Sequence, residues 1–251
     1  MLNRPQMTSW REIELKLALP DEEAWHWVRE RLTEPRVTPQ SNHFFDAPGA
    51  PLRAARVGVR LRREDERRLL TVKSDGQNET EGALSRRIEL ESAVPREAFD
   101  EALVDGLLLG PWIDNWRAEL APPSTDDSPE LEAFLTRLER LTSEPLQRFG
   151  GFDNERTTGT LRLDLPDGPQ RIEVELDRTH FPGGRTDFEL EVEFPTEGPK
   201  ETGREVLPEE VQRALIDWLA EGGIHPFEAA SKLARFQAIL ESEATRSTQS
   251  N

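Results

Sequence analysis

The chain contains no cysteine, which removes disulfides, thiolate zinc sites and cysteine nucleophiles together. Histidine is nearly as scarce: the four residues at 26, 43, 180 and 225 have no ligand-like spacing, so a zinc centre is not expected. No apolar run approaches the roughly 20 residues that a membrane-spanning helix needs, and residues 1–10 lack the apolar centre of a signal peptide. Cytoplasmic location is therefore the expectation. Basic residues are outnumbered, with 32 Lys and Arg against 49 Asp and Glu and a formal charge of −17. Such a field repels nucleic acid and anionic bilayers, and neither is expected as a partner. A small anionic ligand is compatible with it, because salt screens the global charge beyond roughly 8 Å and a local basic pocket prevails. The 251 residues can bury a sizeable core and suit one domain or a small pair; oligomeric state is left open.

What the sequence does contain is period-two alternation. Glu12-Ile13-Glu14-Leu15-Lys16, read as a strand, puts two carboxylates and an ammonium on one face and Ile13, Leu15 and Leu17 on the other. Phe188 to Phe194 repeats the pattern with Glu189, Glu191 and Glu193. Strands are also expected at 57–62, 69–73, 87–91, 160–165 and 171–177. Among these, Arg60 and Arg62 share a face, as do Thr71 and Lys73, and as do Arg87, Glu89 and Glu91. Pro166-Asp167-Gly168-Pro169 and Phe181-Pro182-Gly183-Gly184 carry hairpin-turn chemistry, so the strands are mostly antiparallel. A row of acids repels itself unless cations lie between, and a divalent ion is the most economical one. An exposed antiparallel sheet alternates in the same way. Segregation of acids and bases onto different strands speaks against it, since like charges facing each other across a ladder are unfavourable.

Helical spacing is expected over Asp21–Leu32, Pro95–Val104, Ser128–Leu141, Pro208–Glu221 and Pro226–Leu240. Pro122–Asp127 reads as a surface loop and Glu241–Asn251 as a frayed polar tail. The fold class that follows is α+β. An eight-stranded antiparallel barrel has room for one small ligand; its charged faces line a tunnel and helices cover the apolar faces from outside. One domain over 9–240 is expected, with 106–145 a helical and loop insertion decorating it and flexible ends at 1–8 and 241–251.

Glu12-x-Glu14-x-Lys16 resembles the ExExK signature of the CYTH domain, the superfamily of triphosphate tunnel metalloenzymes. Further resemblances follow in family order: Asn42–Asp46, Arg60-x-Arg62, Lys73, Arg87 and Glu89, Asn154-Glu155-Arg156, Leu176-Asp177, Glu189-x-Glu191-x-Glu193, and the Ser231–Phe236 helix with Lys232. The resemblance implies inorganic triphosphatases, thiamine triphosphatases and class IV adenylyl cyclases as the activities to consider. It also implies that Lys232 closes the tunnel mouth over substrate.

A triphosphate carries about four charges, so its pocket needs several cations around the phosphate oxygens. Arg60, Arg62 and Arg156 can form paired hydrogen bonds to phosphate, Lys16 and Lys73 act as point charges, and Arg87 joins them. Carboxylates suit hard ions such as Mg²⁺ or Mn²⁺. Glu12, Glu14, Glu189 and Glu191 are the first expected ligands, with Asp177 and Glu193 next. One ion would neutralise phosphate, and a second would lower the pKa of an attacking water. Glu89 or Glu175 would accept its proton, and Lys16 and Lys232 complete the expected catalytic set. Hydrolysis of tripolyphosphate to diphosphate and phosphate heads the expectations. The rivals are thiamine triphosphate hydrolysis, cyclisation of ATP, and a non-catalytic polyphosphate-binding module. Asp46 is read as a turn residue or a support behind the ligands, His43 as packed or hydrogen-bonded, Ser231 as a helix hydrogen-bonder, and Arg63, Arg67 and Arg68 as solvated charges.

Overall fold

The structure, a computed structural model, describes residues 11–74, 83–120, 128–194, 207–228 and 230–249. The expected loop at 122–127 and the stretch read for a signal peptide lie outside the described residues. The alternating segments are strands: β1 (Arg11–Leu19), β3 (Val57–Glu64), β4 (Arg67–Ser74), β5 (Leu84–Ala93), β7 (Gly168–His180) and β8 (Thr186–Phe194), joined by β2 (Thr33–Asp46) and β6 (Gln147–Leu165). They close into a barrel in the order β1-β5-β4-β3-β2-β6-β7-β8. The ladders β3–β4, β4–β5, β6–β7, β7–β8 and the closing β8–β1 pair are antiparallel. Strands β2 and β6 are longer than alternation alone indicates. Pro35 and Pro39 interrupt one pattern, Gly150, Gly151 and Gly159 the other.

Seven α-helices accompany the strands among the described residues: α1 (Glu22–Arg29), α2 (Pro51–Ala54), α3 (Arg96–Asp105), α4 (Gly110–Leu120), α5 (Ser128–Leu141), α6 (Pro208–Glu221) and α7 (Lys232–Gln249). None is long and apolar enough to cross a membrane. Asp21 caps α1 by accepting from the Ala24 N–H at 2.9 Å, and the helix stops at Arg29, three residues short of expectation. The last helix differs at both ends. It starts at Lys232 and not Pro226, because Phe227 exchanges two backbone hydrogen bonds with Ala18 and is extended there. It continues nine residues past Leu240, so the polar segment read as frayed is helical through Gln249.

The chain forms two compact units, each with its own core. The first comprises Met1–Arg11, Asn42–Gln77 and Arg87–Gly150. Its core joins Val57, Val59 and Leu61 of β3, Leu70 and Val72 of β4, and Ile88 and Leu90 of β5 to Phe99, Ile113, Trp116, Phe134 and Leu138 of α3, α4 and α5. Eight of the 21 buried residues of this core lie in the 106–145 segment. The second unit comprises Glu12–Ser41, Asn78–Arg86 and Gly151–Asn251. There Leu15, Leu17, Leu161, Leu163, Val174, Leu176, Leu190 and Val192 pack against Trp25 and Val28 of α1 and Val211, Leu215 and Leu219 of α6. Gly222, which ends α6, lies so close to the Trp27 indole that a Cβ there would fall 2.5 Å from the ring. In both units the helices take the apolar strand faces, which leaves the charged faces for the barrel interior.

Candidate functional site

In the second unit, the register of three ladders assembles one charged face. β8 lies between β1 and β7, with Lys16 opposite Glu191, Glu14 opposite Glu193, Glu175 opposite Glu191 and Asp177 opposite Glu189. On the next ladder Arg156 of β6 is opposite Asp177. Glu14, Asp177, Glu189 and Glu191 are all buried. Their charges are met by side chains of the protein itself. Lys16 Nζ is 2.9 Å from Glu14 and 3.1 Å from Glu191. The Arg156 guanidinium makes paired bonds to Asp177 at 2.9 and 2.6 Å, reaches Glu191 at 2.8 Å and touches Glu175.

Lys232, the first residue of α7, enters the same face. Its Nζ is 2.8 Å from Asp177 Oδ2, 2.6 Å from Glu189 Oε2 and 2.6 Å from Glu191 Oε1. One turn on, Arg235 spans Asp187 and Glu189, at 2.7 Å from the latter. Phe236 is fully buried and packs edge-on against Phe152 at 5.7 Å between centroids, which fixes α7 in place. Ser231 accepts from the Ala234 N–H at 3.2 Å, the helix hydrogen bond expected of it.

These contacts set the ionisation. Burial pulls the Lys16 and Lys232 pKa down, but the carboxylates around each outweigh it and hold both above the ordinary lysine value. Burial likewise raises Glu191 and Asp177, and the surrounding cations more than reverse this, leaving both below the usual carboxylate range. Glu175 goes the other way. Burial, reinforced by Glu193, Asp177 and Glu191, overcomes Arg156 and pushes its carboxyl up to about 8.

The first unit carries a second charged face. Lys73 Nζ is 2.6 Å from Glu89. Arg62 bonds Glu91 at 3.1 Å and lies 3.3 Å from Glu64. Thr71 donates to Glu91 at 3.2 Å and receives Arg60 at 3.4 Å. Arg87 is half-buried there; in the second unit Glu12 is half-buried and Glu193 is exposed. A divalent ion was expected as the most economical partner of the acid rows; neighbouring strands and α7 also supply counter-charges directly. Asp46 accepts from the N–H groups of Ala47, Leu52 and Arg53, so it is the turn residue expected. His43 stacks edge-on against Phe99.

The CYTH domain model matches residues 11–215. The chain belongs to the CYTH domain family. Its fold is similar to that of HpAC1 from Hippeastrum, a proposed adenylyl cyclase described as having a dominant triphosphatase activity. The two are 24% identical, with 90% of this chain and 95% of that chain covered and a TM-score of 0.63. A proposed adenylate cyclase from Bacillus halodurans is 16% identical, with 91% and 99% covered and a TM-score of 0.51. A search of curated proteins finds no match.

Two residues of this charged face were not singled out from sequence, Asp187 and Arg235. The alternation that selected Glu189 and Glu191 extends one step back to Asp187, and Arg235 is three residues from Lys232 on the same helix face. The donor chemistry of Glu14, Asp177, Glu189 and Glu191 is all carboxylate, which fits a hard divalent ion. Among the described residues no three acidic or histidine side chains are already gathered as a metal cage. Asp177, Glu189 and Glu191 close on the Lys232 ammonium instead.

Proposed function

We propose that this CYTH protein is a divalent-ion-dependent triphosphatase that cleaves tripolyphosphate to diphosphate and phosphate, with residues 9–240 acting as one domain. The observation that carries this reading is the buried face on which Glu14, Asp177, Glu189 and Glu191 meet Lys16, Arg156 and Lys232. Burying ions costs several kcal/mol each. A sheet that needed only stability would fill these positions with apolar or neutral side chains, so this density of charge argues for a polyionic ligand.

Glu12, Glu14, Asp177, Glu189, Glu191 and Glu193 would hold Mg²⁺ or Mn²⁺, which when bound offsets phosphate charge and acidifies water. Arg60, Arg62, Lys73 and Arg87 would grip phosphate oxygens, the arginines in pairs and the lysine as a point charge. Lys16, Arg156 and Lys232 would add positive charge beside the acids, and Glu89 and Glu175 are the candidate proton acceptors. The activity described for the Hippeastrum protein agrees with ranking hydrolysis above cyclisation.

The test is phosphate release from tripolyphosphate, thiamine triphosphate and ATP with Mg²⁺ or Mn²⁺, alongside assay of cyclic AMP from ATP. Release from tripolyphosphate at the highest kcat/KM is expected. Cyclic AMP without phosphate release would establish the cyclase, and tight tripolyphosphate binding without turnover would establish the binding module.

A further inference from the structure

Lys232 is held as a metal ion would be held. Its Nζ has three carboxylate oxygens at 2.6–2.8 Å, one each from Asp177, Glu189 and Glu191 on two adjacent strands. The other cations of this face do not match it. Lys16 reaches Glu14 and Glu191, Arg156 reaches Glu175, Asp177 and Glu191, and Arg235 reaches Asp187 and Glu189. Only Lys232 touches Asp177, Glu189 and Glu191 together in these ion pairs.

We propose that Lys232 is a built-in competitor of the divalent ion: its ammonium occupies the carboxylate triad of Asp177, Glu189 and Glu191 in the ligand-free protein and must leave before an ion can bind there. The inference rests on the divalent-ion part of the function proposed above. A hard divalent ion takes such oxygens at about 2.0–2.6 Å, and at that range it would press against an ammonium that uses the same atoms. Two cations cannot share the triad, so occupation is exclusive.

The architecture makes Lys232 the one to move. Lys16 and Arg156 rise from the middle of β1 and β6, and Arg156 is pinned by paired bonds to Asp177. Lys232 starts α7 at the end of a flexible four-carbon stem, while Phe236 and Arg235 anchor the helix behind it. The ammonium can therefore swing out with the helix still docked. Displaced, it is a free positive charge beside the site, ready for an incoming phosphate. Ion binding and the availability of this lysine to substrate become one event. Without an ion, the site is shut by its own side chain.

The test uses the full chain, stripped of metal and titrated calorimetrically with Mn²⁺ alone. Lys232→Gln removes the competitor and is expected to bind Mn²⁺ at least ~10-fold more tightly than wild type. Equal or weaker affinity would overturn the exchange. Arg235→Gln, which removes a cation that reaches only Glu189 of the triad, is expected to give no comparable gain, and an equal gain would also overturn it by reducing the effect to net charge. Should Lys232→Gln not fold, wild type decides: labelling of Lys232 by an amine-reactive ester, mapped by mass spectrometry, is expected to be several-fold faster at saturating Mn²⁺. Unchanged or slower labelling sinks the proposal. If neither protein binds Mn²⁺, the exchange and the divalent-ion reading fail together. If Lys232→Gln binds more tightly but wild type hydrolyses no triphosphate, the exchange stands and the triphosphatase reading falls.

Discussion

Arg156 and Asp177 face each other in the β6–β7 ladder and are joined by two hydrogen bonds, Nε to Oδ1 at 2.9 Å and Nη2 to Oδ2 at 2.6 Å. Asp177 is wholly buried, so its charge depends on this pairing and on Lys232. Removing one partner of a buried pair leaves the other uncompensated, which typically costs about 3–5 kcal/mol. Arg156→Ala is expected to lose stability in that range in urea unfolding of the metal-free protein. Arg156→Lys is expected to recover only part of it, because an ammonium cannot reproduce the paired geometry. A loss below about 1 kcal/mol would mean that Lys232 alone carries Asp177.

Glu175 supplies a pH dependence of opposite sign to the usual carboxylate. Its folded pKa of about 8 lies above the ordinary value of 4.5. The folded state therefore keeps a proton that the unfolded chain gives up. The stability this confers is complete below pH 4.5 and is lost as pH rises through 8. Metal-free wild type is expected to lose roughly 2–4 kcal/mol from this source between pH 5 and 8.5. Glu175→Gln should abolish that part of the slope and be the more stable protein above pH 8. Parallel stability profiles for the two proteins would contradict the assignment.

Much of this architecture was legible because alternation and burial coincide. Each strand that pairs a charged face with an apolar one, such as Val57–Arg62 or Phe188–Phe194, has its apolar residues under helices in the structure. The amphipathic stripes at Ala24, Trp25 and Val28 and at Leu131, Phe134, Leu135 and Leu138 pack as their spacing indicated. What sequence could not give was long-range geometry. Nothing local shows that Lys232 meets Glu191, 41 residues away, or that Arg62 meets Glu91, 29 away. Segregation of charge by strand therefore looked like a demand for an external ligand, when adjacent ladders were already bringing the opposite sign across. The start of the last helix was missed for a similar reason, since the Phe227–Ala18 bridge is a contact between distant segments.

Ser92 and Trp116 offer a test of the first unit that leaves the charged face alone. The Trp116 indole N–H donates to Ser92 Oγ at 2.8 Å, and both residues are buried. Ser92→Ala strands the indole donor in an apolar core, for a loss of about 1–3 kcal/mol in chemical denaturation. Kinetic constants should stay at wild-type values, because the side chain lies on the helix-covered side of β5. A change in KM for tripolyphosphate would show that packing of α4 onto the sheet reaches the charged face.

Glu191 separates an enzyme from a binder. It is buried among Lys16, Arg156 and Lys232. Glu191→Gln deletes a negative charge from the centre of three cations and keeps the volume, so the face becomes more attractive to a polyanion. A binding module should hold tripolyphosphate as tightly as before or more so. An enzyme whose chemistry depends on an ion held by this carboxylate should keep substrate affinity within a few-fold while kcat falls by about two to four orders of magnitude. Glu14→Gln, which removes the neighbouring partner of Lys16, should behave in the same way. Calorimetric affinity and steady-state turnover measured on the same preparations decide between the two, since misfolding would destroy both and loss of catalysis only one.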